Sequence, residues 1–240
     1  MKTNSIVGMD IAKSVMFAAR MNEEGQIIER RKFSRNQLMV WLANIPRSLI
    51  GFEGCGGAHY LANEISKLGI SHEAKIIPAQ YVAPYRKGEK NDWNDAIAAA
   101  EAVQRKNMRF VSIKSAKQLE LQSIQRIRSR LIKEHTAIIN QIHGFLLEQG
   151  VVIPKGRAAL RRLHEVYIKY QEKLTGSFIE ILKSLYAELL HKEAQISEID
   201  TKMKIQLKDN LQAQKLLKVP GIGPVTAMTL MVSVGDPKCF

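Results

Sequence analysis

The sequence predicts an α/β domain followed by a long helical region, and three observations support this prediction. Over roughly the first 110 residues, short apolar segments of strand character alternate with segments of helical spacing. Beyond about residue 114 the strand signals vanish, and apolar residues recur in steps of three and four. Near the end, a glycine-rich turn separates two short helical segments.

The chain opens with three predicted strands. The first is SIVGMDI, Ser5–Ile11, and VMFAARM and QIIERRKFS follow it on either side of a turn at residues 22–25. Connections this short join strands that run antiparallel. We therefore expect an antiparallel meander.

Two further strands and three helices follow. The strands are SLIGFE, which ends at Glu53, and SHEAKIIPA, and the helices are predicted over residues 35–44, over residues 56–68 and from Asp92 onward. A basic loop, YRKGEKN, precedes the last helix. The order β-β-β-α-β-α-β-α indicates an α/β domain, which we assign to residues 1–112.

Two apolar stripes predict two long helices over residues 113–210. The first stripe runs through residues 121, 124, 127, 131, 138, 142 and 145, and the second runs from Leu163 to Met203. Between them lies GVVIPKG, residues 150–156, whose Pro154 and Gly156 can break the helix. We expect an antiparallel hairpin with a coiled-coil seam, whose remaining apolar stripe joins subunits into a dimer or tetramer. A helical bundle within one chain is the alternative.

The last segment, residues 211–240, has the pattern of a helix-hairpin-helix motif. A short helix leads into the turn Gly221-Ile222-Gly223, after which Pro224 can start another helix. In such a motif the glycines and Lys218 contact a phosphate, and N–H groups of the following helix hold it without reading bases. A glycine-proline turn between core helices is the alternative.

The composition favours a polyanionic partner. The chain has 240 residues, a formal net charge of +13 and a pI near 9.8, and nucleic acid is the simplest partner for such a protein. Lys13 and Lys90, close to the predicted site, are candidate nucleic-acid contacts. No apolar run reaches the length of a membrane span and no signal peptide is evident, so we expect a soluble cytoplasmic protein.

Four acidic residues lie where a metal-dependent reaction would need them. Asp10 is near the end of the first strand, Glu53 ends SLIGFE, and Asp92 and Asp95 lie three apart at a helix start, where they share a face. Clustered carboxylates repel one another unless a divalent cation neutralises them. Oxygen ligands without histidine or cysteine nearby favour Mg²⁺ or Mn²⁺ over zinc.

Each acid also has a purely structural explanation. Asp10 can accept hydrogen bonds in a turn, and Glu53 can be solvated at a strand end. Asp92 and Asp95 can cap the helix or complement its dipole. The metal site is favoured because we expect two core strands and one helix to bring these acids to one place.

Three acidic motifs resemble those of a known family. They are VGMDIAK at residues 7–13, GFEGCGG at 51–57 and KNDWNDA at 90–96, and together they are similar to the DEDD transposases of the insertion sequence 110 family, in particular its 1111 subgroup. The resemblance implies a RuvC-like, ribonuclease-H-type domain with a mixed sheet. It also implies that Asp10, Glu53, Asp92 and Asp95 are catalytic residues that coordinate divalent metal.

The resemblance extends through LLKVPGIGPVTA, which is similar to the start of the family's C-terminal transposase domain. It implies a site-specific DNA recombinase that moves its own element and uses a structured guide RNA. Family members continue into a region with a serine that attacks DNA, and no serine here is assigned that role. We therefore expect a copy truncated within its C-terminal domain.

Two other functions stay open on the sequence. A catalytically silent remnant could act only as a dimeric nucleic-acid-binding protein. A sugar-kinase-like or actin-like phosphotransferase also begins with a strand of the form G-x-D-I, although here Ala12, Lys13 and Ser14 stand where small, flexible residues of a phosphate loop are expected.

Overall fold

The structure, a computed structural model, describes residues 5–154 and 160–234. These residues form two compact units, of which the first ends at Lys117 and the second spans Gln118–Val234. The finer division of the chain at residues 112 and 210 stays a prediction. Gly156 and the segment after Val234, both named in the sequence predictions, lie outside the described residues.

The first unit is built on a five-stranded mixed sheet. Its strands are β1 (Ser5–Ile11), β2 (Met16–Met21), β3 (Ile27–Phe33), β4 (Ser48–Glu53) and β5 (Glu73–Ile77), in the spatial order β3-β2-β1-β4-β5. The first three strands pair antiparallel, and β1, β4 and β5 pair parallel. The predicted α/β class and the antiparallel meander are confirmed.

Helices cover both faces of this sheet. They are α1 (Arg35–Ala43), α2 (Ala58–Ser66), α3 (Ala79–Val82) with a 3₁₀ turn at Ala83–Tyr85, and α4 (Asp92–Val103). Residues of α1 and α2, such as Leu42 and Ile65, pack in one apolar cluster, and α4 contributes to a second cluster with Ile77 and Val82. The short α3 lies just before the predicted basic loop and had no signal of its own in the sequence.

The second unit contains an antiparallel pair of long helices. They are α5 (Ala116–Glu148) and α7 (Gly176–Lys208), with the short helix α6 (Leu163–Lys169) between them. Arg128 Nε donates to Asp200 Oδ1 at 2.5 Å, and His135 Nε2 lies 3.3 Å from Glu193 Oε1. Because the partner numbers rise on one helix as they fall on the other, the two helices run in opposite directions. The predicted hairpin is present, and its use as an intersubunit coiled coil stays a prediction.

Gly150, rather than Pro154 or Gly156, ends the first long helix. It has a φ of +66°, a conformation that glycine adopts without strain. Its N–H donates to the Leu147 carbonyl, and the Val151 N–H donates to the Leu146 carbonyl, both at 2.9 Å. This is a Schellman cap, with Val151 and Leu146 buried together beneath it. The helix therefore ends within the predicted linker GVVIPKG, but at its first residue, four residues before Pro154.

The second apolar stripe is not one continuous helix. Between α6 and α7 the chain leaves the helical path at Tyr170 and re-enters at Thr175, whose hydroxyl accepts from the Phe178 N–H at 3.3 Å. Helices α8 (Leu211–Leu217) and α9 (Pro224–Val234) follow. They share an apolar cluster with α5 and α7 that includes Leu121 and Met228. Across the described ranges, every helix is too short or too polar to span a membrane.

Candidate functional site

Asp10 and Glu53 occupy matching positions on neighbouring parallel strands. The register of β1 and β4 pairs Gly8 with Gly51 and Met9 with Phe52, so Asp10 and Glu53 follow as the next step. Side chains two residues apart on a strand point to the same face. Both acids therefore lie on the face that carries the two glycines, at the carboxyl ends of their strands.

Those glycines let α4 lie directly on the sheet. A Cβ on Gly8 would stand 2.0 Å from the Ala96 carbonyl oxygen, and one on Gly51 would stand 2.5 Å from Val103 Cβ. The α4 residues on this side are small and fully buried alanines, among them Ala99 and Ala100. The alanine-rich sequence of α4 is explained by this close approach.

The docking of α4 determines where Asp92 and Asp95 lie. Asp92 is one helical turn before Ala96, which contacts Gly8, and Asp95 is one turn before Ala99. The amino-terminal turn of α4 is thereby brought toward the strand ends that carry Asp10 and Glu53. The four acids come from three separate parts of the chain, and Glu53, Asp92 and Asp95 all lie close enough to Asp10 to act on its charge. Their role as one metal site stays a prediction.

The charges in this site act on one another. The pKa of Asp10 is raised above its usual range, first because the group is partly buried and then because of repulsion from Asp92, Asp95 and Glu53. Asp95 alone among the four has an ion pair within the described residues, with Arg86. In the described part of the chain, the other three acids have no ion pair, so negative charge remains in excess here.

The amino-terminal cap of α4 is neither Asp92 nor Asp95, the two residues that the structural explanation in the sequence analysis assigned to it. Asn91 is the N-cap of α4, and its side-chain oxygen accepts from the Asn94 N–H at 2.8 Å. Asp92 and Asp95 are consequently not needed to cap the helix. Their remaining structural role is to complement the helix dipole, which explains neither Asp10 nor Glu53.

Cys55 lies beside the acids, which the sequence reasoning missed. Its thiol donates to the Ile11 carbonyl at 3.6 Å, and burial together with the charges of Asp10 and Glu53 raises its pKa. The expectation that no cysteine would be near the carboxylates was wrong. The available signal was its place two residues after Glu53, at the end of the same strand.

The donor atoms suit a hydrated divalent cation. All four acids offer hard oxygen ligands, and the raised pKa of Asp10 reports repulsion that a cation would relieve. In the described residues, however, no group of three or more His, Cys, Asp or Glu side chains is close enough to hold an ion directly. Carboxylate oxygens bind divalent cations in proteins together with water, so these side chains are the candidate ligands of such an ion.

An aromatic and a basic side chain flank the acids across the sheet. Phe17 pairs with Asp10 on one side and with Lys32 on the other, so the three form a row over β1, β2 and β3. Trp93 of α4 packs edge-on against Phe17 with ring centroids 4.8 Å apart, and Lys32 Nζ lies 5.5 Å from the Phe17 centroid. The Lys32 ammonium group and the Phe17 and Trp93 rings therefore lie beside the acidic residues.

Comparisons with known proteins agree with the motifs. A family model for DEDD transposases of the insertion sequence 110 family, described as a transposase, matches residues 7–150, which include all four acids. The chain is 36% identical over 236 residues to the transposase for insertion sequence element IS1328 of Yersinia enterocolitica, covering 98% of this chain and 70% of that protein. The chain belongs to the DEDD transposase family of insertion sequence 110.

Other relatives support the same membership. A probable family 20 transposase of Pseudomonas aeruginosa is 37% identical, over 98% of this chain and 70% of its own length. The transposase for insertion sequence element IS1111A of Coxiella burnetii is 36% identical, over 100% of this chain and 66% of its own length. Recognition of the family is confirmed, and the chain is a transposase-family enzyme whose α/β fold is consistent with a ribonuclease-H-type domain.

The predicted nucleic-acid contacts of this transposase lie in two places. Lys13, in the β1–β2 connection, and Lys90, two residues before α4, are exposed and adjacent in sequence to Asp10 and Asp92. Lys218 and Gly221 are exposed in the turn between α8 and α9, where Gly221 has a φ of +85°. Gly223 ends that turn, one residue before α9. Their contact with nucleic acid stays a prediction.

Proposed function

We propose that this transposase acts on phosphodiester bonds of DNA at a site where Asp10, Glu53, Asp92 and Asp95 hold a divalent cation. The observation that supports the proposal is geometric: paired strands carry Asp10 and Glu53 at their carboxyl ends, and the close contact of α4 with Gly8 and Gly51 brings its first turn, with Asp92 and Asp95, toward them. The family uses divalent metal, and Mg²⁺ or Mn²⁺ suits oxygen ligands. When bound, such an ion stabilises the charge that develops on the phosphate oxygens.

The chain's own residues position the phosphate. Lys32 and the exposed Lys13 and Lys90 attract the DNA backbone to a site that would otherwise repel it. Arg86 holds Asp95 in place through their ion pair, because a side chain anchored at one oxygen keeps a single orientation. The Phe17 and Trp93 rings pack against each other beside the acids and form an apolar border on that side.

The second unit binds the rest of the nucleic acid in this proposal. A Cβ on Gly221 or Gly223 would meet nothing within 4 Å, so the backbone of the turn is open to a phosphate. This supports a helix-hairpin-helix contact that involves Lys218, to DNA or to a structured guide RNA.

The long helices leave apolar side chains at the surface: Ile127, Ile181 and Leu190 are 42%, 50% and 47% exposed. They support a homo-oligomer formed through a coiled coil.

The test measures both metal binding and DNA cleavage on the same variants. The purified chain is titrated with Mn²⁺, followed by electron paramagnetic resonance, and is then incubated with single-stranded, duplex and branched DNA in Mg²⁺. We expect Asp10→Asn and Glu53→Gln to lose Mn²⁺ binding and to lower any cleavage at least 100-fold, because each removes a carboxylate from the site. The matched control is Glu24→Gln, which removes one exposed acid from the β2–β3 turn.

The possible outcomes separate the two functions that concern nucleic acid. Loss of Mn²⁺ binding in Asp10→Asn but not in Glu24→Gln supports the metal site. Cleavage that persists in Asp10→Asn contradicts it. Binding of DNA by the wild-type chain without any turnover in Mg²⁺ or Mn²⁺ favours the catalytically silent nucleic-acid-binding protein.

A further inference from the structure

A pocket lies at the opposite end of α4 from the acids. It has a volume of about 340 Å³ and is lined by Tyr81, Tyr85, Arg105, Asn107, Met108 and Arg109. The chain supplies these residues from two segments, one around α3 and its 3₁₀ turn and one just after α4. A volume of this size suits one small planar group together with its substituents.

The pocket combines an aromatic wall with a guanidinium group. The Arg105 guanidinium carbon lies 5.3 Å from the Tyr85 ring centroid, within the range of a cation–π contact. The loop after α4 is held in shape by the Arg105 carbonyl, which accepts from the Met108 N–H at 3.0 Å. Arginine planes and tyrosine rings are the surfaces on which unpaired nucleobases stack.

The charge of the pocket is uncompensated. Arg105 and Arg109 are both exposed, and neither forms an ion pair with an acid in the part of the chain that the structure describes. Lys106, also exposed, lies between them in sequence. A base that stacks on Tyr85 would thus have its own phosphate near free cations, and Asn107 offers an amide for the edge of the base.

We infer that this pocket, which we call the Tyr85 pocket, binds one unpaired nucleotide of a single-stranded DNA or RNA. The inference rests on the proposed function in that it supposes a nucleic-acid substrate or guide, but it adds a site distinct from the carboxylates. The 12 residues of α4 separate the pocket from Asp92 by about 18 Å, at 1.5 Å per residue. The site therefore recognises a strand beside the reacting bond, not the bond itself.

The experiment measures stacking directly. Single-stranded DNA and RNA of about 12 nucleotides, each carrying 2-aminopurine, are titrated with the purified chain, and a fluorescein-labelled duplex is titrated in parallel. Stacking on Tyr85 quenches 2-aminopurine. We expect Tyr85→Ala and Arg105→Ala to relieve the quenching and to weaken single-strand binding about 5- to 100-fold, with duplex binding changed less than about twofold. The DNA and RNA arms show which strand the pocket prefers.

The chain supplies a matched control. Arg35 also lies over a tyrosine, with its guanidinium carbon 5.5 Å from the Tyr60 ring centroid, and Tyr60 is 50% exposed. Tyr60→Ala and Arg35→Ala should leave quenching and affinity unchanged. Tyr85→Phe keeps a ring for stacking and should bind like the wild type, and circular dichroism melts of each variant report whether it folds.

Several results would overturn the inference. They are the absence of quenching by the wild-type chain, single-strand affinity unchanged in both Tyr85→Ala and Arg105→Ala, and an equal loss in Tyr60→Ala. Failure of the proposed function is a separate result, because it is read from Mn²⁺ binding and cleavage in Asp10→Asn. Cleavage that persists in that variant while Tyr85-dependent quenching is retained would reject the metal site and keep the pocket.

Discussion

The ionisation of Asp10 depends on the residues around it. An aspartate at the end of a strand is commonly just a solvated residue, and the motif at residues 7–13 marks Asp10 only in combination with the other two acidic motifs. In the folded chain its ionised form is disfavoured by partial burial and by three other carboxylates. A group with a raised pKa in the folded state destabilises the fold when ionised, and that destabilisation is lost as the pH falls through the raised pKa.

We therefore predict that Asp10→Asn stabilises the metal-free protein. At pH 7 in EDTA the variant should melt at a higher temperature than the wild type, because asparagine removes the partly buried charge and its repulsion with the other three acids. The difference should shrink as the pH falls toward 4, because Asp10 of the wild type then becomes protonated in the folded state. Melting curves from pH 7 to 4 check this. A variant that melts lower than the wild type at pH 7 would contradict the assigned repulsion.

At the scale of elements, the contact between α4 and the sheet assembles the site. Gly8 and Gly51 are partners in the register of β1 and β4, and both lie beneath α4. Side chains larger than hydrogen at these positions would lift the helix away from the strands. Asp92 and Asp95 are on the first turn of that helix. The distance between α4 and the sheet therefore sets how close these two acids come to Asp10 and Glu53.

Gly8→Ala is predicted to affect both stability and metal binding. Its new Cβ would overlap the Ala96 carbonyl oxygen, which belongs to the backbone and cannot rotate away. We expect a loss of about 2–3 kcal/mol in the free energy of unfolding, measured by urea denaturation, and weaker Mn²⁺ binding. Gly56→Ala is the control, since a Cβ there meets nothing within 4 Å. Equal stability of the two variants would show that α4 is not held this closely.

At the scale of the whole molecule, charge determines how the protein meets its partner. A net charge of +13 attracts a polyanion over distances beyond any single contact, while the site itself is acidic. Binding therefore depends on cations that surround the site rather than on residues within it. Lys90, exposed and adjacent in sequence to the acidic helix start, is one of these cations in our proposal.

We predict that DNA affinity falls linearly with salt on logarithmic axes and that Lys90→Ala reduces the slope by about one unit. The measurement is fluorescence anisotropy of a labelled duplex over a range of salt concentrations. Lys202→Ala removes the same charge from a lysine already paired with Glu198, at 2.6 Å, and should leave the slope unchanged. A slope that responds equally to both substitutions would show that net charge alone, without a contact at Lys90, explains the binding.

Much of the fold follows from local patterns. The alternating strands and the stripes of the helices are encoded within short segments, so all five strands and the antiparallel hairpin were predicted from spacing. The helix stop was misplaced because Pro154 is a strong breaker in the sequence, whereas the actual stop at Gly150 depends on a cap that buries Val151. Family membership also followed from short motifs, and the comparisons confirmed it.

The sequence by itself determined the chemistry that is available: acids, cations, glycines and aromatics at fixed places along the chain. Tertiary structure decided which of them meet. Asp10, Glu53 and α4 come together through strand register and a glycine-mediated contact between residues more than 40 positions apart. The contact of Cys55 with Ile11 beside Asp10, and that of Tyr85 with Arg105, likewise depend on packing between separate elements. Local periodicity specifies each element and the face it buries, but the contacts between elements depend on side-chain volumes that no single segment contains.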